Sequence, residues 1–261
     1  MTGTRGARQG GRPLVLIGSG GFGRETAQAV VALNACGAGW QLLGYLDDDP
    51  QRHGAVVEGF PVLGGRDELR HMPEAQVVVC TGRPGDYASR LRIVTQLDLP
   101  AERYATVVHP AAAVSASSSV GPGSVLLAHA ALTTAVRVGA HVAIMPHVTL
   151  THDVDIADFV TIASGVRAGG AMHARRGAYL GAGAVIGEHL TIGEFSLVGM
   201  GAVVTKDIPA CEVWAGVPAR RLRAAAVDLG TAVDLGTAVG PVPGEAWPGE
   251  QAGSTQRERK T

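Results

Sequence analysis

Hydrophobic and polar positions follow two different rhythms along this chain, and the change falls near residue 105. Before it, short apolar runs alternate with helical patterns. "PLVLIGSGGFGRETAQAVVAL" predicts a buried strand, a glycine turn and a helix. "QLLGYLDDD" and "AQVVVCTG" predict two more strands, "DYASRLRIVTQL" a helix, and "YATVV" a last short strand. Strands alternating with helices imply a parallel α/β sheet. About four strands give room for roughly one mononucleotide-binding half, where a full dinucleotide domain needs two.

From Val108 the aliphatic positions recur every sixth residue: Val108, Val114, Val120, Leu126, Leu132, Val138, Ile144, Leu150, Ile156, Ile162, Ala168, Ala174, Leu180, Ile186, Ile192, Val198 and Val204. Four residues after each lies another mostly small or β-branched side chain, such as Ser124, Val142 or Ala184. Neither a helical period nor simple alternation produces this. A six-residue period describes short strands joined by tight turns and stacked as a solenoid. Three sides close a coil of about eighteen residues, and the series fills nearly six coils, roughly 27 Å of prism at about 4.8 Å per coil. The register breaks at "TKDIPACEVWAGVPARRLRAAAV". The expected organisation is a leader over 1–12, an α/β domain over 13–105, a β-solenoid over 106–208, a loop and capping helix over 209–226, and a disordered tail over 227–261.

Composition sharpens the picture. The 261 residues include 37 glycines and only 4% aromatics, so the cores are built from Val, Ile, Leu and Ala in thin layers. A formal net charge of −1 makes no electrostatic case for nucleic acid or an anionic membrane. Cys36, Cys80 and Cys211 show neither disulfide nor metal-ligand spacing, so no metal is expected. The leader lacks the apolar run of a signal peptide, and no uncharged apolar segment approaches about 18 residues. These features predict a soluble, cytoplasmic protein.

Two stretches carry candidate chemistry. "GSGGFG", Gly18 to Gly23, fits GxGxxG between a strand and a helix, where backbone N–H groups can approach a phosphate. Asp47 and Asp48 close the next strand. The second stretch is "THDVDIADF". His152 lies two places after the inward Leu150 and should face outward, beside Asp153. A neutral imidazole suits removal of a proton from an attacking amine or hydroxyl, and a carboxylate partner stabilises the resulting imidazolium. Most other histidines, including His141 and His189, read as solvated surface residues. No cysteine lies near, so a covalent acyl-enzyme is not suggested.

The hexad series, with "LVLIGSGGFGRE", "GYLDDDP", "HPAAAVS", "THDVDIADF", "GAGAVIG", "VGMGAVVTKDIP" and "GVPAR", resembles the hexapeptide-repeat sugar acetyltransferases over residues 13–222. That family includes sialic acid O-acetyltransferases and bacterial nucleotide-amino-sugar N-acetyltransferases. The resemblance implies a Rossmann-like nucleotide-binding domain followed by a left-handed parallel β-helix, assembled as a homotrimer. It implies a nucleotide-sugar substrate held by the N-terminal domain and acetyl-CoA as co-substrate between adjacent prisms. Carried over by position, His152 is the general base, Asp153 its partner and Gly170 in "RAGGAM" the oxyanion donor. Gly18, Gly20, Gly21, Phe22, Asp47 and Asp48 line the nucleotide pocket, and Gly64 in "VLGG" is expected to approach it. Thr161, Ala182 and Met200 are expected to touch acetyl-CoA.

The chain departs from the family pattern at three places. Thr161 stands where some members carry a second histidine, Ala157 replaces a glycine, and Met145 replaces a polar residue. His147 is an alternative base, and His109 reads as the start of the prism. The leading expectation is acetyl-CoA-dependent N-acetylation of a nucleotide-linked amino sugar. O-acetylation of a sialic-acid-like sugar and acyl transfer to a natural-product intermediate stand beside it. So does a non-catalytic trimeric nucleotide-binding scaffold.

Overall fold

The structure, a computed structural model, describes residues 11–230. Most of the expected leader, and the tail beyond residue 230, lie outside the described residues. The N-terminal part comprises β1 (Arg12–Ile17), α1 (Gly21–Ala35), β2 (Trp40–Leu46), β3 (Val56–Val57), β4 (Phe60–Gly64), β5 (Gln76–Val79) and α2 (Ser89–Leu97). The sheet order is β3-β4-β2-β1-β5, parallel except for the antiparallel β3–β4 pair. The continuous apolar run of β1 is explained by burial on both faces: Leu14 and Leu16 point into one core, Val15 and Ile17 into another. The chain runs outward from β1 through β2 to β4, then returns to β5 on the other side. The carboxyl ends of β1 and β5 therefore flank a topological switch point, where open α/β sheets bind ligands.

Two expectations need correction here. The hairpin β3–β4 in "GAVVEGFPVLG" has no clear apolar alternation in sequence, and it adds an edge to the sheet. "YATVV" does not supply a full strand to that sheet. Tyr104 makes a single bridge to Val77, while Val107–Val108 pairs with Val125–Leu126 as the first rung of the prism. Val107 belongs to both units, because its side chain packs in the N-terminal core.

The prism consists of seventeen two-residue strands, β6 (Val107–Val108) to β22 (Val203–Val204), beginning every six residues. From β6 to β19, each pairs in parallel with a strand eighteen residues later, as in Ala131↔Thr149 and Ala143↔Thr161. This is a left-handed parallel β-helix. The second residue of each strand and the residue before each strand form the aliphatic core. Val114, in the first coil, is 37% exposed because no earlier coil covers it. Corners are turned by left-handed residues at every sixth position from Gly123 to Gly201, with φ between 50° and 72°.

The three faces are not equivalent. On the stack β6-β9-β12-β15-β18-β21, the outward residues Val107, Val125, Ala143, Thr161 and Tyr179 are all buried. The N-terminal domain packs there: Leu14, Leu16, Val30 and Val78 share a core with Val107 and Val125. The other two stacks are open to solvent, with Ser119, Arg137, Arg167 and Val185 exposed.

At the far end, the expected capping helix over 209–226 is instead a β-hairpin. β23 (Glu212–Ala215) extends the docked stack beside β21, and β24 (Arg220–Ala224) folds back against it. Trp214 closes the prism core, and Pro218, which lacks an N–H, sits in the turn between the two strands. Residues 227–230 are also placed: Leu229 is buried, and Arg92 donates to the Asp228 carbonyl.

Candidate active site

The glycine motif sits at the switch point. Gly18 has φ +98°, and a β-carbon there would lie 2.9 Å from the Cys80 carbonyl oxygen, so the turn after β1 requires glycine. A β-carbon on Gly23 would lie 2.0 Å from the Gly18 oxygen, so the start of α1 can approach β1 only without a side chain. Together these constraints open a cavity of about 670 Å³ lined by Gly18, Gly20, Gly21, Phe22, Asp47 and Asp48. Its opposite wall is Thr81, Gly82, Arg83, Asp86 and Ser89. Gly64 is buried behind this cavity and does not line it, and its carbonyl accepts from the Asp47 N–H at 2.8 Å.

Asp47 is largely committed to the loop itself. Its Oδ2 accepts from the Ser19 N–H at 2.9 Å and from Ser19 Oγ at 2.5 Å. Burial would raise this carboxyl, but the Ser19 and Asp49 hydrogen bonds and the charge of Arg52 hold it below its ordinary value. Asp48 pairs with Arg66 at 2.6 Å. Cys80, behind the glycine turn, is pushed up to about 12 by burial, so the thiol stays protonated and inert.

His152 occupies the corner between the two open faces, opposite the docked N-terminal domain. Its ring faces solvent, and Nδ1 lies 3.0 Å from Asp153 Oδ2. One coil later lies Gly170. A β-carbon there would sit 2.3 Å from His152 Cε1 and 2.4 Å from Nε2, so the imidazole rests directly on the glycine Cα. The backbone fixes this stacking: the Ala171 N–H donates to the His152 carbonyl at 2.9 Å, and the Asp153 N–H donates to Thr134 at 3.0 Å. Among the described residues, nothing accepts from the Gly170 N–H or contacts His152 Nε2 by hydrogen bond. An imidazole with its Nδ1 held by a carboxylate has Nε2 available to take a proton.

The remaining expected contacts divide. Ala182 and Met200 are exposed, one coil apart, on the edge between the docked face and the first open face. Thr161 is not with them. It is 2% exposed on the docked face, and its Oγ1 accepts from Arg90 at 2.8 Å, so the residue expected to touch acetyl-CoA is covered by the N-terminal domain. Met145 packs against the N-terminal core. His147 stacks on His129 with ring centroids 4.9 Å apart, on the edge shared with Met200 rather than that of His152. His109 accepts from the Ala111 N–H within its own turn.

His141 corrects a further reading. It is 6% exposed, wedged between Phe159 and Tyr104 where the domain docks, and burial pushes it down to about 4, with Arg90 adding to the effect. Sequence reasoning also missed Arg90. Fully buried, it donates to the carbonyls of His141, Thr81, Phe159 and Val160 as well as to Thr161. Its only sequence signal is its place beside Leu91 on the buried face of α2.

Comparison with known proteins agrees with this geometry. Residues 13–97 match the PglD N-terminal domain family. No curated protein matches the chain. Among solved structures, the acetyltransferase domain of PglB from Neisseria gonorrhoeae FA1090, in complex with acetyl coenzyme A, is 29% identical with a TM-score of 0.71, covering 82% of this chain and 100% of that one. A mutant of perosamine N-acetyltransferase from Caulobacter crescentus, in complex with CoA and GDP-perosamine, is 26% identical with a TM-score of 0.71, covering 80% and 96%. WeeI from Acinetobacter baumannii AYE is 26% identical with a TM-score of 0.67, covering 80% and 100%. The fold and these matches define an acyltransferase built on a left-handed β-helix. Within that class, the chain is similar to hexapeptide-repeat sugar acetyltransferases, and its residues 13–97 match the PglD N-terminal domain.

Proposed function

We propose that this protein is a cytoplasmic enzyme that transfers the acetyl group of acetyl-CoA to the amine of a nucleotide-linked amino sugar. The observation that carries the reading is the His152–Asp153 pair seated over Gly170, on a chain that also has a glycine-turn cavity of nucleotide size. His152 Nε2 removes the proton from the attacking amine, and Asp153 stabilises the imidazolium that forms. The nitrogen adds to the thioester carbonyl, and the Gly170 N–H donates to the developing oxyanion. Collapse of the tetrahedral adduct expels the CoA thiolate, which takes a proton back from His152. The resemblance of 80% of this chain to perosamine N-acetyltransferase, solved with CoA and GDP-perosamine, favours nitrogen over oxygen as acceptor.

The reaction centre is proposed to form between copies. The cavity belongs to a domain docked on one face, whereas His152 projects from the opposite edge. A cyclic homotrimer about an axis along the prisms pairs different edges of neighbouring copies. It would bring the Ala182–Met200 edge of one copy towards the His152 edge of the next, leaving acetyl-CoA between them.

The test is mass spectrometry of products from acetyl-CoA with UDP-, dTDP- and GDP-linked amino sugars. A product heavier by one acetyl group, lost in His152→Ala, is expected. Equal background turnover by wild type and His152→Ala across the panel would instead identify a nucleotide-binding scaffold.

A further inference from the structure

Resting on the nucleotide-sugar reading above, we propose that Arg83 is the residue that selects a diphosphate-bearing ligand in the N-terminal cavity. The charged side chains lining this cavity are Asp47, Asp48, Asp49, Asp86, Arg52 and Arg83. All but one are already engaged. Asp47 holds Ser19, Asp48 pairs with Arg66, and Asp49 accepts from the Gln51 N–H at 3.0 Å while lying 3.7 Å from Arg52. Asp86 receives both of its bonds from Arg92 Nη2 at 2.8 Å. Arg52 donates to Ser19 Oγ at 2.8 Å. The guanidinium of Arg83 is exposed and has no partner among the described residues.

The backbone that carries this free cation is nevertheless held at both ends. The Thr81 carbonyl accepts from buried Arg90 at 2.6 Å, and Arg92 grips Asp86. Between them the Asp86 N–H donates to the Arg83 carbonyl at 2.8 Å, closing the turn. A charge on a fixed loop, left unneutralised while its neighbours are paired, is arranged for an anion that arrives from outside.

Across the cavity, Gly20 caps α1 without any side-chain hydrogen bond, so Gly20 and Gly21 present backbone there. The helix N-terminus and Arg83 thus offer two electropositive sites on opposite walls, which suits two linked phosphates rather than a nucleoside or free sugar. The four acids are paired with three arginines, Arg52, Arg66 and Arg92. Without Arg83 the group carries an excess negative charge that opposes a diphosphate.

The experiment is calorimetric titration of the full chain with GDP, UDP, guanosine and uridine, in wild type, Arg83→Ala and Arg83→Lys. Wild type should bind the preferred diphosphate more tightly than its nucleoside. Arg83→Ala should weaken that diphosphate roughly tenfold, as expected for loss of one charge-assisted contact. Nucleoside affinity, the KM for acetyl-CoA and the thermal midpoint should stay unchanged, and Arg83→Lys should recover part of the loss. Unchanged diphosphate affinity in Arg83→Ala overturns the assignment. So does an equal loss for nucleoside and diphosphate, or a lowered thermal midpoint. Failure of wild type to bind any probe would instead remove the nucleotide-sugar reading on which this rests.

Discussion

The imidazole of His152 lies against the Cα of Gly170, so close that a β-carbon would fall 2.3 Å from Cε1. Backbone hydrogen bonds hold the two residues in adjacent coils, so neither can retreat without disturbing the stack. Gly170→Ala should therefore displace the imidazole while leaving the prism folded. Steady-state kinetics should show turnover lowered by roughly 10²-fold or more, the scale of general-base catalysis. Circular dichroism should show an unchanged β-helix. Full activity in this variant would mean that the proposed base is not in its working position.

Arg90 makes five hydrogen bonds, all to neutral oxygens, and four of them cross to the prism. With no carboxylate nearby, burial lowers its pKa to about 10, against a smaller opposing effect of Cys80, yet it remains charged at neutral pH. Arg90→Met removes this charge but strands the carbonyls of Thr81, His141 and Phe159 and the Thr161 hydroxyl, while the Val160 carbonyl keeps the Ala143 N–H. A loss of about 3 kcal/mol in denaturant-unfolding stability is expected. Arg90→Lys should recover little, since an ammonium cannot span acceptors on three segments.

His141 predicts a pH dependence of stability. Its folded-state pKa of about 4 lies below the ordinary histidine value of 6.5. The stability it contributes is therefore complete above pH 6.5 and is lost as pH falls towards 4, where the folded state must also accept the proton. The maximum effect is about 3 kcal/mol. His141→Phe should flatten the pH 4–6.5 region of the thermal-midpoint profile. Phenylalanine already occupies the matching left-handed corners at Phe159 and Phe195, so the backbone can accept it.

Ala135 turns a corner with φ 52°. An L-residue with a β-carbon is strained there, whereas glycine is not. Ala135→Gly should raise stability by about 0.5 kcal/mol, opposite in sign to the usual effect of glycine in regular structure. A lowered thermal midpoint would show that the corner carries no such strain.

Much of this molecule could be read before folding was considered. The hexad positions are spaced by a repeating local geometry, so residues such as Ile144, Ile162 and Leu180 announced the coil without information from elsewhere in the chain. The glycine turn and the outward His152–Asp153 pair were legible for the same reason: each depends on neighbours only a few residues away. The C-terminal hairpin was not, because "RRLRAAAV" has good helical composition and becomes a strand only when β23 lies beside it.

Placement of the N-terminal domain was decided only in three dimensions. The outward residues of the docked stack begin more apolar (Val107, Val125, Ala143) than those of the stack with Ser119, Arg137 and Asp155, but spacing does not say what covers them. Packing of Leu14, Leu16 and Val78 on that docked stack turned Thr161 and His141 from surface residues into buried ones. Hexad spacing states that a side chain leaves the prism core but not whether it then meets water or protein. Local periodicity thus determined the coil and the outward direction of His152, while long-range packing decided which outward groups remained exposed, because burial depends on contacts between segments far apart in the chain.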